Sequence, residues 1–203
     1  MEISYGFPGY VPAGATAVSI ALHERDVATY QHCDRVARLC VRLGEACGLS
    51  RREVDLLHLA AAFHDIGKIG IPDRILKKAT ALNAREWNVM RSHSLRSERI
   101  VLAAGFEEGA TIAKAVRHHH ERFDGSGYPD GLSGEDIPVF SRIIAVADAY
   151  DAMRHRRYAA RRSHRQIVNE LKREAGRQHD PYLVETFVRI IRANGETPNS
   201  ERR

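Results

Sequence analysis

Apolar residues recur at spacings of three and four through most of the 203-residue chain, which is the period of a helix with one buried face rather than of a strand. From about Thr16 this period takes over. Val36, Leu39 and Leu43 share a face with Cys33, Cys40 and Cys47, and Gly48 marks the end of that helix. Ser50-x-x-Glu53 is a capping box for the next helix, from Arg52 to about Asp65, which presents Val54, Leu57, Ala61 and Phe63. Asn83-x-x-Glu86 opens a third, with Trp87, Met90 and His93 on linked faces. Further helices are predicted over about 107–121, 139–153, 163–175 (Ser163 paired with Gln166) and 181–193 (Asp180 as cap, Pro181 in the first position). Between them, 67–73 and 123–138 are rich in Gly and Pro and read as loops. No strand-like alternation runs long enough to count. The prediction is an all-α fold, a bundle of about seven helices with polar side chains from several of them converging on one centre.

The ends differ from the middle. Residues 1–15 form a Gly- and Pro-containing lead-in or linker stub, 16–193 a single domain, and 194–203 a polar tail. With 43% hydrophobic and 28% charged residues the chain reads as an ordinary globular protein. No apolar run approaches the roughly 20 residues of a membrane span, and the first residues lack the pattern of a signal peptide. The expected location is cytoplasmic, with no membrane partner. The cysteines, spaced by seven, lie along one helical stripe and read as buried small hydrophobes.

The net charge of +5 is unevenly placed. Arg154, Arg156, Arg157, Arg161, Arg162 and Arg165 fall in a stretch without a single acid. Such a stretch is either a solvated face or a basic rim that attracts an anion. Its only interleaved aromatic is Tyr158, so a nucleic-acid-binding module is not expected.

The candidate chemistry is concentrated in two segments. Phe63–Asp73 reads FHDIGKIGIPD and contains His64, Asp65 and Lys68; His119–Gly131 reads HHERFDGSGYPDG. Histidine with carboxylate is a ligand set for iron, manganese or zinc. Two clusters, with His32, His93 and Asp148 as single candidates around them, suggest more than one ion. A bridging carboxylate and an activated water are the equipment for phosphoester hydrolysis.

Thr-x-x-His-x-x-Arg-Val (from Thr29), HDIGKIGIPD, His93, HHERFDGSGYP and Asp148-x-x-Asp151-Ala stand in the order and spacing of HD-GYP domains, a subgroup of the HD metal-dependent phosphohydrolase superfamily. The chain resembles that family over about residues 16–190. The resemblance implies hydrolysis of cyclic di-GMP to linear pGpG or GMP, with two divalent ions, iron or manganese first and zinc also compatible. By the same resemblance His32, His64 and Asp148 hold one ion, His93, His119 and His120 the other, and Asp65 bridges them. Two carboxylates with five histidines would leave the loaded site net positive, as a phosphodiester requires. Asp65 and Lys68 take the catalytic roles, Lys68 stabilising charge on the phosphoryl oxygens. Lys68, Tyr128, Arg156 and Arg157 are the expected substrate contacts, Tyr128 by stacking or hydrogen bonding. Gly125 and Gly127 allow tight turns, Pro129 stiffens the loop exit, and Glu121 and Asp124 orient histidines or the loop. His118, one residue before the matched pair, is expected to point away from the site.

Two departures from the family pattern stand out. Some members use a Glu four residues before the first histidine to hold a third ion; this chain has Ala28 there. After Asp151 the family's Arg-Pro-Tyr-basic run is replaced by Met153–Ser163, apparently one residue short, with Ala159 in the last basic position. Substrate identity is therefore open. Alternatives are hydrolysis of another cyclic dinucleotide or nucleoside phosphate, or a weakly catalytic signalling module that binds protein partners through the surface around the Gly-Tyr-Pro loop.

Overall fold

Asp26 breaks what the periodicity presents as one long first helix. In the computed structural model, which describes residues 13–155 and 162–193, α1 (Ala13–Arg25) ends there and α2 (Val27–Ala46) begins. Asp26 adopts an extended backbone (φ −155°), and its carboxylate accepts hydrogen bonds from Ala28 N and Thr29 Oγ1 at 3.1 and 2.7 Å. An acid placed this way satisfies donors that the first turn cannot. The predicted first helix is thus two, and α1 starts at Ala13, so residues 13–15 belong to the helical body rather than to the lead-in.

The remaining helices follow the predicted order. α3 (Arg51–Phe63) and α5 (Ala84–Ala103) each carry a complete capping box, Ser50 with Glu53 and Asn83 with Glu86. α8 (His164–Arg173) has a third, Ser163 with Gln166. Such caps stabilise a helix by about 0.5–2 kcal/mol each. Between α3 and α5 lie a 3₁₀ turn, Ile66–Gly70, where a loop over 67–73 was expected, and the four-residue α4 (Asp73–Leu76), in a stretch given no element from sequence. α6 (Gly109–Arg117), α7 (Val139–Arg154) and α9 (Pro181–Ala193) complete nine α-helices among the described residues, against about seven expected. Asp180 Oδ1 accepts from Tyr182 N at 2.9 Å, capping α9 as its position predicts. No strand occurs among the described residues, and the fold is all-α. No helix there is long and apolar enough to cross a membrane.

The core is built on α2. Val36, Ala37, Cys40 and Leu43 are buried against Leu57, Ala60 and Ala61 of α3 and Ile143, Ile144 and Ala147 of α7. Cys33 and Cys40 are buried and Cys47 half-buried, and all three are free thiols, as their stripe predicts. This packing fixes α2, α3 and α7 side by side. It also sets the polar ends of their inner faces around one centre.

Candidate metal centre

His64 and Asp65 lie just past the end of α3, where the chain turns into the 3₁₀ helix. That turn packs on α5 backbone to backbone. A Cβ on Gly67 would lie 2.1 Å from His93 O and 2.6 Å from Ser97 N, so only glycine permits the approach. Ser97 stitches the two segments: its Oγ accepts from Gly67 N at 2.9 Å and donates to His64 O at 2.8 Å. The consequence is that Asp65 meets His93, with Oδ1 3.3 Å from Nε2.

His119 and His120 were expected in the last turn of a helix running to 121. α6 in fact ends at Arg117. Successive residues on a helix diverge by about 100°; in the turn that follows α6, both rings face the same centre, 4.0 Å apart between centroids. His118 does point away, though not for the helical reason: its Nε2 lies 2.8 Å from Asp130 Oδ2. The loop beyond is tied down by Glu121, whose Oε1 accepts from Asp130 N and Gly131 N at 2.7 and 3.0 Å. Asp124 caps its own turn through Ser126 N at 3.0 Å. Glu121 and Asp124 therefore shape the loop and do not orient the histidines. Gly125 has φ +80°, whereas Gly127 is required by contact, since a Cβ there would lie 2.3 Å from Arg122 N.

The donors fall into two groups. Asp65, His93, His119 and His120 have ligand atoms within 4.8 Å of one another, and so do His32, His64 and Asp148. Asp65 stands between them. Its Oδ1 faces His93, while its Oδ2 lies 3.5 Å from His64 Nε2 and 3.8 Å from His32 Nε2. His32 Nε2 is 3.0 Å from Asp148 Oδ1. Lys68, three residues past Asp65, is brought back over it by the 3₁₀ turn, with Nζ 2.5 Å from Oδ2.

The atoms left without partners show what this centre accepts. His64, His93 and His119 each donate Nδ1–H to a backbone carbonyl, of Ala61, Met90 and Val116, at 2.7 Å. Each therefore presents an Nε2 lone pair to the centre. His93 and His119 Nε2 face each other at 3.5 Å, and His64 Nε2 and Asp65 Oδ1 are buried with no hydrogen-bond partner. Acceptor facing acceptor in a buried site costs energy unless a cation lies between. The His/Asp cluster is suited to divalent ions, with the tautomers already fixed by backbone carbonyls.

Electrostatics agree with a ligand role. Burial pushes the His64, His93 and His119 imidazoles down, and His120 to about 3, so all four are neutral near pH 7. Burial disfavours the charge on Asp65, but Lys68 and the surrounding histidines outweigh it and hold the carboxyl well below its usual range. Asp148 is likewise held down, burial being outweighed by the hydrogen bond from His32. His32 is the exception: burial opposes its proton, yet Asp148 and Asp151 raise it to about 9.

Two cavities flank the centre and share Lys68 and Met90. One, about 690 Å³, is walled by Trp87, Arg91 and Tyr128 and reaches His93 and His120. The other, about 490 Å³, reaches His32, Arg35 and Asp151. Tyr128 stacks on His120 with ring centroids 4.9 Å apart, and the Arg91 guanidinium lies 5.1 Å from its ring centre. Arg156 and Arg157 lie outside the described residues. Of their neighbours, Arg154 donates to Tyr150 OH at 2.7 Å and Arg162 pairs with Glu170 at 3.7 Å.

Asp151, Arg35 and Ser97 had no assigned role in the sequence reading. The first two sit inside segments already singled out, three residues after Asp148 and His32. Helical spacing places each beside its neighbour's face. Ser97 carries no comparable signal.

A family model described as HD domain matches residues 17–183. The chain is 41% identical over 170 residues to a cyclic di-GMP phosphodiesterase of Thermotoga maritima, covering 82% of this chain and 45% of that protein. It is 40% identical over 176 residues to a 3'3'-cGAMP-specific phosphodiesterase of Vibrio cholerae, covering 83% and 32%. A solved cyclic GMP-AMP specific phosphodiesterase from V. cholerae has the same fold, with TM-score 0.69 at 19% identity over 91% of this chain and 50% of that one. The chain thus spans less than half the length of the two curated relatives.

Proposed function

This chain belongs to the HD domain family, and from that membership and the arrangement of its centre we propose that it is a metal-dependent phosphodiesterase hydrolysing cyclic di-GMP to pGpG or GMP. The observation that carries the reading is Asp65, one carboxylate oxygen turned to His93 and the other to His64 and His32. We assign one divalent ion to His32, His64 and Asp148 and a second to His93, His119 and His120, with Asp65 shared. Iron or manganese is the proposed occupant, and zinc suits the same ligand set. Such ions supply Lewis acidity toward the phosphoryl oxygens and a lowered pKa for an attacking water.

The chain's own residues do the rest. The four neutral imidazoles, His64, His93, His119 and His120, leave the positive potential to the ions and Lys68, so a phosphodiester is attracted rather than repelled. Lys68 opens onto both cavities and is the proposed donor to charge developing on phosphorus-bound oxygen. Arg156 and Arg157 are the proposed outer contacts to the dinucleotide. Ala28, four residues before His32, offers no ligand atom, and the proposed stoichiometry is therefore two ions, not three. We place the protein in the cytoplasm, where a cyclic dinucleotide signal is made and consumed.

A second reading keeps the chemistry and changes the substrate. Three relatives are named as specific for 3'3'-cGAMP, so a mixed purine dinucleotide is the alternative. The deciding experiment is metal analysis of anaerobically purified protein, together with turnover of cyclic di-GMP, 3'3'-cGAMP and nucleoside phosphates. Two ions per chain and preference for cyclic di-GMP are expected. Asp65→Asn should lose most of both metal and turnover; a variant keeping both would defeat the assignment. Preference for 3'3'-cGAMP would select the second reading, and binding of protein partners without turnover would point to a signalling module.

A further inference from the structure

The larger cavity has an aromatic wall whose parts are not equivalent. Tyr128 is already engaged, stacked on His120 and approached by the Arg91 guanidinium. Trp87 is 47% exposed, lines the same cavity, and has no ring or cation partner among the described residues. What sets this indole apart is its place: an open aromatic face on the wall of a cavity that reaches the His/Asp centre. It sits on α5 with Ala84 one turn before it and Arg91 one turn after, so these three share a face. Asn88, beside it, adds an exposed amide that can both donate and accept. Arg91 has no carboxylate within ion-pair distance among the described residues, leaving positive charge on this wall. His93 lies six residues on from Trp87, about 9 Å along the helix axis, and lines the same cavity from a different side of α5.

We propose that Trp87 is the platform on which a purine base of the bound dinucleotide stacks, with the adjoining phosphate then set at the His93–His120 end of the cavity. This rests on the cyclic-dinucleotide reading of the site, and it moves the stacking role from Tyr128, where the sequence suggested it, to α5. Tyr128 instead braces His120.

Trp87 is the only tryptophan in the chain, so all tryptophan emission reports from this one wall. Guanosine monophosphate and cyclic di-GMP should quench it saturably, in metal-stripped protein as well as in loaded protein; ribose 5-phosphate, charged but without a base, should not. Trp87→Ala should raise KM for cyclic di-GMP about ten- to a hundredfold, the worth of one base–aromatic stack, with kcat and metal content nearly unchanged. Trp87→Phe should recover most of the loss, which separates stacking from a folding defect. Unchanged KM in the alanine variant, or quenching by ribose 5-phosphate equal to that by the nucleotide, would overturn the platform. Wild-type protein that binds guanosine monophosphate with quenching yet hydrolyses no cyclic dinucleotide would leave the platform standing and remove the hydrolase reading instead.

Discussion

Asp151 holds His32 from the side away from the cluster, its Oδ2 accepting a 2.8 Å hydrogen bond from the imidazole Nδ1. Asp151 is itself clamped by Arg35, which donates from Nε and Nη2 to the two carboxylate oxygens at 2.8 Å each. His32 is the one site histidine shown oriented by a carboxylate; His64, His93 and His119 lean on backbone carbonyls. Its orientation can therefore be altered by changing one side chain.

Asp151→Asn should weaken binding at the His32–His64–Asp148 group by about 10–100-fold, the usual cost of losing a ligand's outer partner. Binding at the His93–His119–His120 group should change little. Competition with a coloured chelator, titrated against both groups, gives the two affinities. Equal weakening at both would mean that Asp151 supports the whole centre rather than His32.

Gly67→Ala tests the stitch between the 3₁₀ turn and α5. The added methyl would meet two backbone atoms, which cannot swing aside, so the expected loss is about 1–3 kcal/mol, as for overpacked interiors. Displacement of the turn should also separate Asp65 from His93 and lower metal content. Gly48→Ala is the matched control: φ there is +79° with nothing within 4 Å of the new atom. It should cost about 1–2 kcal/mol of backbone strain and leave metal content alone. Thermal melts and metal analysis of the two variants separate contact from conformation.

How much of this was readable beforehand depends on whether the cause was local. The capping boxes at Ser50, Asn83 and Ser163 are four-residue signals, and the starts of the helices they open were placed from sequence within a residue, while the ends expected at about Asp65 and 175 each ran two residues long. The proposed site residues rest on linked motifs, and the fold gathers all seven proposed ligands into two adjoining groups. What was missed depends on tertiary geometry. Nothing near His118–His120 says that α6 stops at Arg117 rather than at Glu121; beyond that stop the Glu121 carboxylate accepts from Asp130 N and Gly131 N, nine and ten residues later. Asp26 was overlooked as a cap because the apolar period runs straight through it. The Asp151–Arg35 clamp spans more than a hundred residues, and its parts were visible while their meeting was not.

Stability should fall in mild acid, and His179 accounts for a separable share. Burial holds its imidazole down to about 4 from 6.5, and its Nδ1 is buried without a partner. The unfolded chain thus takes up this proton below about pH 6.5, whereas the folded chain resists it until about pH 4. Across that window the unfolded state binds more protons, so stability rises with pH and is lost as pH falls. Between pH 7.5 and 5 the contribution is about 2 kcal/mol. His179→Phe, which keeps a ring of similar shape, should lose that much less on acidification. Denaturant titrations of metal-stripped protein at the two pH values measure the difference. Parallel losses in wild type and variant would show that His179 does not carry it.

Lys68→Ala should separate electrostatics from coordination. Lys68 contacts Asp65 but belongs to neither ligand group, and burial, which opposes its charge, is outweighed by Asp65, so the ammonium stays protonated at neutral pH. Removing it takes away one proposed donor to the phosphoryl oxygens, worth about 10²–10³ in kcat where such a donor acts on the transition state. Metal content should hold, because the proposed ligand atoms are untouched and Asp65 loses only a neighbour. Lys68→Arg keeps the charge on a longer, planar head that cannot sit in the same place, so partial recovery is expected. Metal analysis beside steady-state kinetics on cyclic di-GMP tests both halves. Full turnover in the alanine variant would make Lys68 a counter-ion to Asp65 and nothing more, whereas lost metal would mean that its charge is needed to hold the bridging carboxylate in place.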